Sequence, residues 1–225
     1  MDAMRRRERR ERGALVSGTA LALSAALAGA GLVSDQDEAH AAGALRVVVV
    51  GDSLSTGYGT SAAWAWPRLL SQQEQGRLDV VNASENGDGY LAVGVADGTF
   101  GSHAQAVITP DTSMVVFFGS ENDMGEDLAE LTAAAVADLT TAHEAAPDAR
   151  IVVVGPTAFT DDPEPARLAV RDALESAAAQ TGVKFVDPLA GNWLAGAQYE
   201  GPDEDHPTIA GQEQLRDEMT RALGL

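Results

Sequence analysis

The chain has 225 residues and no cysteine, and its 34 acidic against 15 basic side chains give a formal net charge of −19. So acidic a protein is repelled by nucleic acid and by anionic lipid surfaces, which disfavours polyanionic partners and substrates. Without cysteine it has neither a disulfide nor a lipoprotein attachment site, and its fold must be held by packing.

Residues 1–41 differ from the rest. Six arginines lie between Arg5 and Arg12, and the run 14–33 is uncharged and rich in Ala, Leu and Gly. The polar stretch 34–38 then leads to Ala39-His40-Ala41, an A-x-A-like cleavage signal, so the segment reads as a secretory signal peptide. An uncharged run of 20 residues can also span a bilayer, and a retained N-terminal membrane anchor is the second reading. Either one exports the domain 42–225, to the outside of the cell or to its envelope. Removing 1–41 takes away six basic and six acidic groups and leaves the net charge at −19.

The remainder is long enough for one sizeable core. A first strand, 45–50, runs directly into Gly51-Asp52-Ser53-Leu54-Ser55. A helix is predicted over 62–75 and a second strand over 78–82. The stretch 90–110 is less regular. A strand over 113–119, a helix over 126–146, a strand over 150–155 and a helix over 164–181 follow. A last strand at 183–187 leads through a long loop, 188–205, to a helix over 207–223. Pro165 and Pro207 each suit a first helical turn, where the missing N–H costs nothing. Apolar β-branched runs alternating with longer helical patterns imply right-handed βαβ units and an α/β fold with a doubly wound parallel sheet.

A serine set just after a buried parallel strand sits at the carboxyl edge of the sheet, where open α/β folds place their chemistry, so Ser53 is a candidate nucleophile. It needs a base, and the base needs an orienting partner. Of the four histidines, His40 lies in the targeting segment, and His103 and His143 fall in or beside helical patterns without a local partner. His206 stands in Asp203-Glu204-Asp205-His206-Pro207, where Asp203 is spaced to hold Nδ1 and leave Nε2 facing a serine. The plainer alternative is an acidic loop with a helix-capping aspartate. Two more clusters fall at strand ends, the loop containing Gly87 and Gly89, and Gly119-Ser120-Glu121-Asn122-Asp123. Acyl transfer needs donors aimed at an oxygen that becomes negative, and a glycine N–H at Gly87 with the Asn122 amide are of the right type. Tyr58, Trp64, Trp66 and Tyr90 are candidates either to line a pocket or to pack in the core, and Trp193 to wall the site. No phosphate-binding glycine motif follows a strand, and His206 has no second histidine at ligand spacing, so neither cofactor nor metal is expected.

In these four blocks the chain resembles the GDSL or SGNH hydrolases, named for Ser, Gly, Asn and His. The blocks are Gly51 to Ser55, Gly87, Asn122-Asp123, and Asp203 through His206-Pro207, in family order across residues 45–207. The third block, from Gly119, is one residue longer than the family's Gly-x-Asn-Asp. The resemblance implies a flavodoxin-like three-layer α/β/α sandwich with a five-stranded parallel sheet. It also implies that Ser53 is nucleophile and oxyanion donor, that Gly87 and Asn122 complete the oxyanion hole, and that His206 is the base, oriented by Asp203. The expected activity is a serine esterase cleaving small acyl esters. Transfer of the acyl group to, or its removal from, an envelope or extracellular glycan is one alternative, and a non-catalytic surface binding module is another. The expected partners are a small-molecule or glycan ester, with no nucleic acid, membrane contact only through a retained N-terminal segment, and a monomeric state. The residues that bind substrate are not legible.

Overall fold

The computed structural model describes residues 43–225. The signal-peptide or anchor reading of 1–41 lies outside the described residues. Five strands, β1 (Leu45–Gly51), β2 (Leu78–Asn82), β3 (Met114–Phe118), β4 (Arg150–Val154) and β5 (Lys184–Val186), form one sheet in the order β2-β1-β3-β4-β5. Every pairing is parallel, with Val48 of β1 between Val81 of β2 and Val115 of β3. This is the flavodoxin-like strand order, and it reverses between β1 and β3.

The helices are α1 (Ser53–Thr56), α2 (Trp66–Gln73), α3 (Phe100–Val107), α4 (Leu128–Ala145), α5 (Pro165–Thr181) and α6 (Ile209–Leu223). The three central strands are almost continuously apolar because both faces are covered. Val48, Val50, Val115, Phe117 and Val153 pack against α3, α4 and α5, where Phe100, Leu131, Leu139 and Leu174 are buried. The alternate residues Val47, Val49, Val116, Phe118 and Val152 pack on the other face against Trp66, Leu70, Leu215 and Met219 of α2 and α6. The result is a three-layer sandwich.

Local chemistry sets the helix ends. Asp127 caps α4 by accepting from Ala129 N and Glu130 N, and Pro165 opens α5, which ends at Gly182 with φ 70°. The structure departs from the sequence expectation in three places. α2 starts at Trp66 rather than at 62, because 57–65 is taken up by turns closed by Thr60 N to Gly57 O and Trp64 N to Ser61 O. Pro207 lies before α6, whose cap is Thr208, accepting from Gly211 N at 3.1 Å. The irregular stretch contains α3, an eight-residue helix opened by a reciprocal Thr99–Ser102 capping box.

Candidate active site

The reversal of strand order leaves a crevice at the carboxyl ends of β1 and β3, and both chemical loops open there. β1 ends at Gly51, and Asp52 caps α1, accepting from Leu54 N at 2.9 Å and from Ser120 N, beyond β3, at 3.3 Å. Ser53 is the first residue of α1, so its own N–H has no acceptor within the helix.

His206 reaches this serine from a loop 153 residues away, with Nε2 3.0 Å from Ser53 Oγ. Its Nδ1 lies 2.9 Å from Asp203 Oδ2. With Nδ1 protonated, the ring donates to Asp203 and accepts from the serine hydroxyl, and both contacts are satisfied. The other Asp203 oxygen accepts from His206 N at 3.1 Å and Asp205 N at 3.3 Å, so one carboxylate shapes the turn and orients the ring. Asp205 thus supports Asp203 through its backbone. The Tyr58 ring packs 4.6 Å from the imidazole at 53°. At Gly59, φ is +80° and a Cβ would lie 2.9 Å from His206 Cβ, so the chain passes too close for any side chain.

The third block meets the site without an insertion. Counted back from Asn122, the glycine of Gly-x-Asn-Asp falls at Ser120, whose φ of 92° is the left-handed conformation that glycine favours. Ser120 is held there by its N–H bond to Asp52 and by its hydroxyl, which donates to Asp123. Asn122 lies in the short 3₁₀ turn Glu121–Asp123 and donates its side-chain amide to Asp88 O at 2.7 Å. Fully buried, Asp123 accepts from the backbone N–H groups of Tyr90, Leu91 and Ala92 at 2.8, 3.0 and 2.8 Å, tying the second block to the third. Gly87 has φ +82°, whereas the Gly89 N–H is already used, donating to Ala92 O at 3.0 Å. Of the two glycines, only Gly87 has an N–H with no hydrogen bond to another described residue.

A cavity of about 550 Å³ opens over Ser53, Asn122 and His206, with Glu121, Thr157 and Arg167 also in its wall. Gly87 is not among its lining residues. The aromatic candidates mostly pack in the core. Trp66 is buried and donates Nε1 to Ser55 Oγ at 3.0 Å, and Tyr90 and Trp193 are buried in opposite layers. Tyr58, exposed against His206, and Trp64 remain at the surface.

The chain has known relatives. Residues 49–214 match the model of the GDSL-like lipase/acylhydrolase family. The chain is 34% identical over 190 residues to a GDSL lipase of Mycobacterium tuberculosis, covering 80% of this chain and 81% of that one. The chain belongs to the GDSL-like lipase/acylhydrolase family.

Solved structures share the fold of this GDSL hydrolase. The psychrotrophic esterase EstA from Pseudoalteromonas sp., inhibited by monoethylphosphonate, superposes with a TM-score of 0.66 at 18% identity, covering 80% of this chain and 96% of that one. A Corynascus thermopiles family 2 carbohydrate esterase with a carbohydrate-binding domain superposes with a TM-score of 0.61 at 19% identity, covering 80% of this chain and 67% of that one. The enzyme is a GDSL-type hydrolase acting on carboxylic esters.

The charges of the hydrolase are tuned by their surroundings. The His206 hydrogen bond, more than any other influence, holds the Asp203 carboxyl below the ordinary carboxylate range, so it stays ionised opposite the ring. Burial first, and the Glu121 carboxyl second, push Asp52 well above that range. Burial also raises Asp88 to about 6, partly offset by His103, whose Nε2 lies 3.1 Å from Asp88 Oδ2. Sequence reasoning missed Glu121, the His103–Asp88 pair and Gln212. Buried Gln212 accepts from Trp66 N at 2.9 Å and donates to Leu54 O at 3.1 Å, next to Ser53. Their partners lie far away in the chain, so no local spacing announces them. Among the described residues no group of three or more His, Asp or Glu side chains is set to hold a metal ion.

Proposed function

We propose that this hydrolase is a serine esterase that cleaves small acyl esters through an acyl-enzyme on Ser53. The observation that carries the proposal is the continuous relay Ser53 Oγ, His206 Nε2, His206 Nδ1, Asp203 Oδ2, with contacts of 3.0 and 2.9 Å, opening into the cavity. His206 takes the hydroxyl proton as Ser53 attacks the ester carbonyl carbon, and Asp203 stabilises the imidazolium so formed. The oxygen that becomes negative is met by the N–H of Ser53, the N–H of Gly87 and the side-chain amide of Asn122. The imidazolium then gives its proton to the leaving alkoxide as the tetrahedral intermediate collapses. Water, deprotonated by His206, attacks the acyl-enzyme, and the proton passes on to Ser53 as acid is released.

The cavity wall supports small, polar substrates: Glu121, Thr157, Thr160, Glu164 and Arg167 face it, while its apolar share is limited to Leu54, Met124, Ala158 and Phe159. A long acyl chain would find little apolar surface there. The same polarity favours a second reading, removal or transfer of acetyl groups on glycans, for which the carbohydrate esterase offers likeness of fold alone. We also propose that residues 1–41 direct export, so that the substrate is extracytoplasmic.

Hydrolysis of p-nitrophenyl acetate by Ser53→Ala tests the first reading. Activity at background, with loss of fluorophosphonate labelling, is expected, and full activity would end the proposal. A chain-length series of p-nitrophenyl esters run beside acetylated xylan decides between short acyl esters and glycan acetates.

A further inference from the structure

Glu121 occupies the variable position beside Asn122, yet it is bound on several sides. One oxygen, Oε1, accepts from Thr157 N at 2.8 Å and Thr157 Oγ1 at 3.2 Å, beyond β4, and lies 3.4 Å from the Arg167 guanidinium on α5. The other, Oε2, is buried and receives no hydrogen bond from any N–H or O–H donor among the described residues. The Glu121 side chain also shares a hydrogen bond with another carboxyl, that of Asp52. Asp52 is itself only 1% exposed and holds Leu54 N on one oxygen and Ser120 N on the other.

Two carboxylates in buried contact cannot both be ionised, whereas one proton between them converts repulsion into a short, strong hydrogen bond. We infer that Glu121 is a positioning residue of this site: it shares a proton with Asp52, and the pair clasps the turn that carries Ser53 to the strand end that carries Asn122. Thr157 N and the Arg167 guanidinium already occupy one oxygen of Glu121, so in this pairing Asp52 carries the proton and donates to Glu121. Through this pair the carboxyl ends of β1, β3 and β4 become one unit, and the nucleophile keeps its distance from the Asn122 amide. The raised affinity of Asp52 for a proton fits this arrangement.

The charged groups around the pair set its response to pH. Arg167 faces Glu121 from α5 and is itself paired with Glu164 at 3.0 Å, while His206, Glu200, Glu204 and Asp205 share the cavity from the loop before α6. Arg167 is the single cation among the lining residues, and the acidic groups there add no counter-charge for a second ionisation. Loss of the shared proton as pH rises therefore leaves two facing carboxylates that push the β1 and β3 ends apart. A group whose affinity for protons is higher folded than unfolded loses its stabilising effect as pH rises from its unfolded to its folded titration range, so stability falls over that interval and rate falls where the pair itself ionises.

The inference rests on the reading of Ser53 as nucleophile for its kinetic part alone. Glu121→Ala should lower kcat about 10²-fold through misplacement, with KM little changed. Glu121→Gln, whose amide nitrogen can donate to an ionised Asp52 while its oxygen accepts from Thr157 N, should recover most of that loss and shift the alkaline limb of the rate profile. Independently of activity, the infrared difference spectrum of wild type minus Glu121→Gln, recorded where exposed carboxylates are ionised, should contain the carbonyl band of one protonated carboxylic acid. An unchanged alkaline limb in Glu121→Gln, an equal impairment of both variants, or absence of the band in the wild type each overturns the inference. Full activity of Ser53→Ala would instead end the nucleophile reading and leave the band intact.

Discussion

Asn122 and Asp88 are joined across the site, the side-chain amide of one donating to the backbone carbonyl of the other at 2.7 Å. One amide hydrogen is thereby fixed, which aims the second, and the loop that carries Gly87 is held at the same time. Asn122→Ala removes a donor and releases that loop. Turnover of p-nitrophenyl acetate should fall about 10²- to 10³-fold with the circular dichroism spectrum unchanged, and a loss under tenfold would remove Asn122 from the proposed oxyanion hole.

The Asp203 carboxylate combines two tasks, orienting the His206 ring and bonding the backbone of its own turn. Asp203→Asn keeps the shape but can present an N–H to the ring and favour the wrong tautomer, which should reduce kcat by roughly 10²- to 10⁴-fold. Because its folded pKa is depressed, Asp203 contributes stability above the ordinary carboxylate range and loses it as pH falls below that range. Carboxyl-carbon NMR titration should find Asp203 still ionised at a pH where the exposed aspartates are half protonated.

Asp138 of α4 faces Gly101 of α3, and burial, with Asp123 as the lesser cause, raises its pKa to about 7. A raised carboxyl stays neutral in the fold while the unfolded chain ionises, so it costs stability as pH climbs from the unfolded value to the folded one. Asp138→Asn should therefore leave the melting temperature at about pH 3.5 nearly unchanged and stabilise the protein near pH 8 by roughly 1 kcal/mol, once solvent screening is allowed for. An equal effect at both pH values would contradict this assignment.

Gln212 bridges α6 to α2 and to the turn after Ser53, and both groups it satisfies are buried. Gln212→Ala leaves the Trp66 N–H and the Leu54 carbonyl without these partners, at a cost of about 2–3 kcal/mol. Thermal unfolding should shift down by roughly 5–10 °C, and a shift under a degree would show that water replaces the side chain.

The sequence by itself determined the layers and most of the candidate chemistry. Continuous runs such as Val47 to Val50 admit only a strand covered on both faces, and Asp203 lies three residues from His206, so the pairing of this carboxylate with its ring is readable as spacing. Ser53 is legible because a serine that follows a buried parallel strand has one place to be. The short helix at Phe100–Val107 was missed because Gly101 weakens its pattern, although the Thr99 to Ser102 spacing of its capping box was there to read. What only the tertiary structure decided are contacts between residues 30 to more than 150 positions apart: Asn122 with Asp88, Glu121 with Thr157, Gln212 with Leu54, and His206 with Ser53. Each depends on which strand ends become neighbours in the order β2-β1-β3-β4-β5. Local spacing records how a side chain meets its own turn, whereas a buried donor finds its acceptor only after the sheet has set the register.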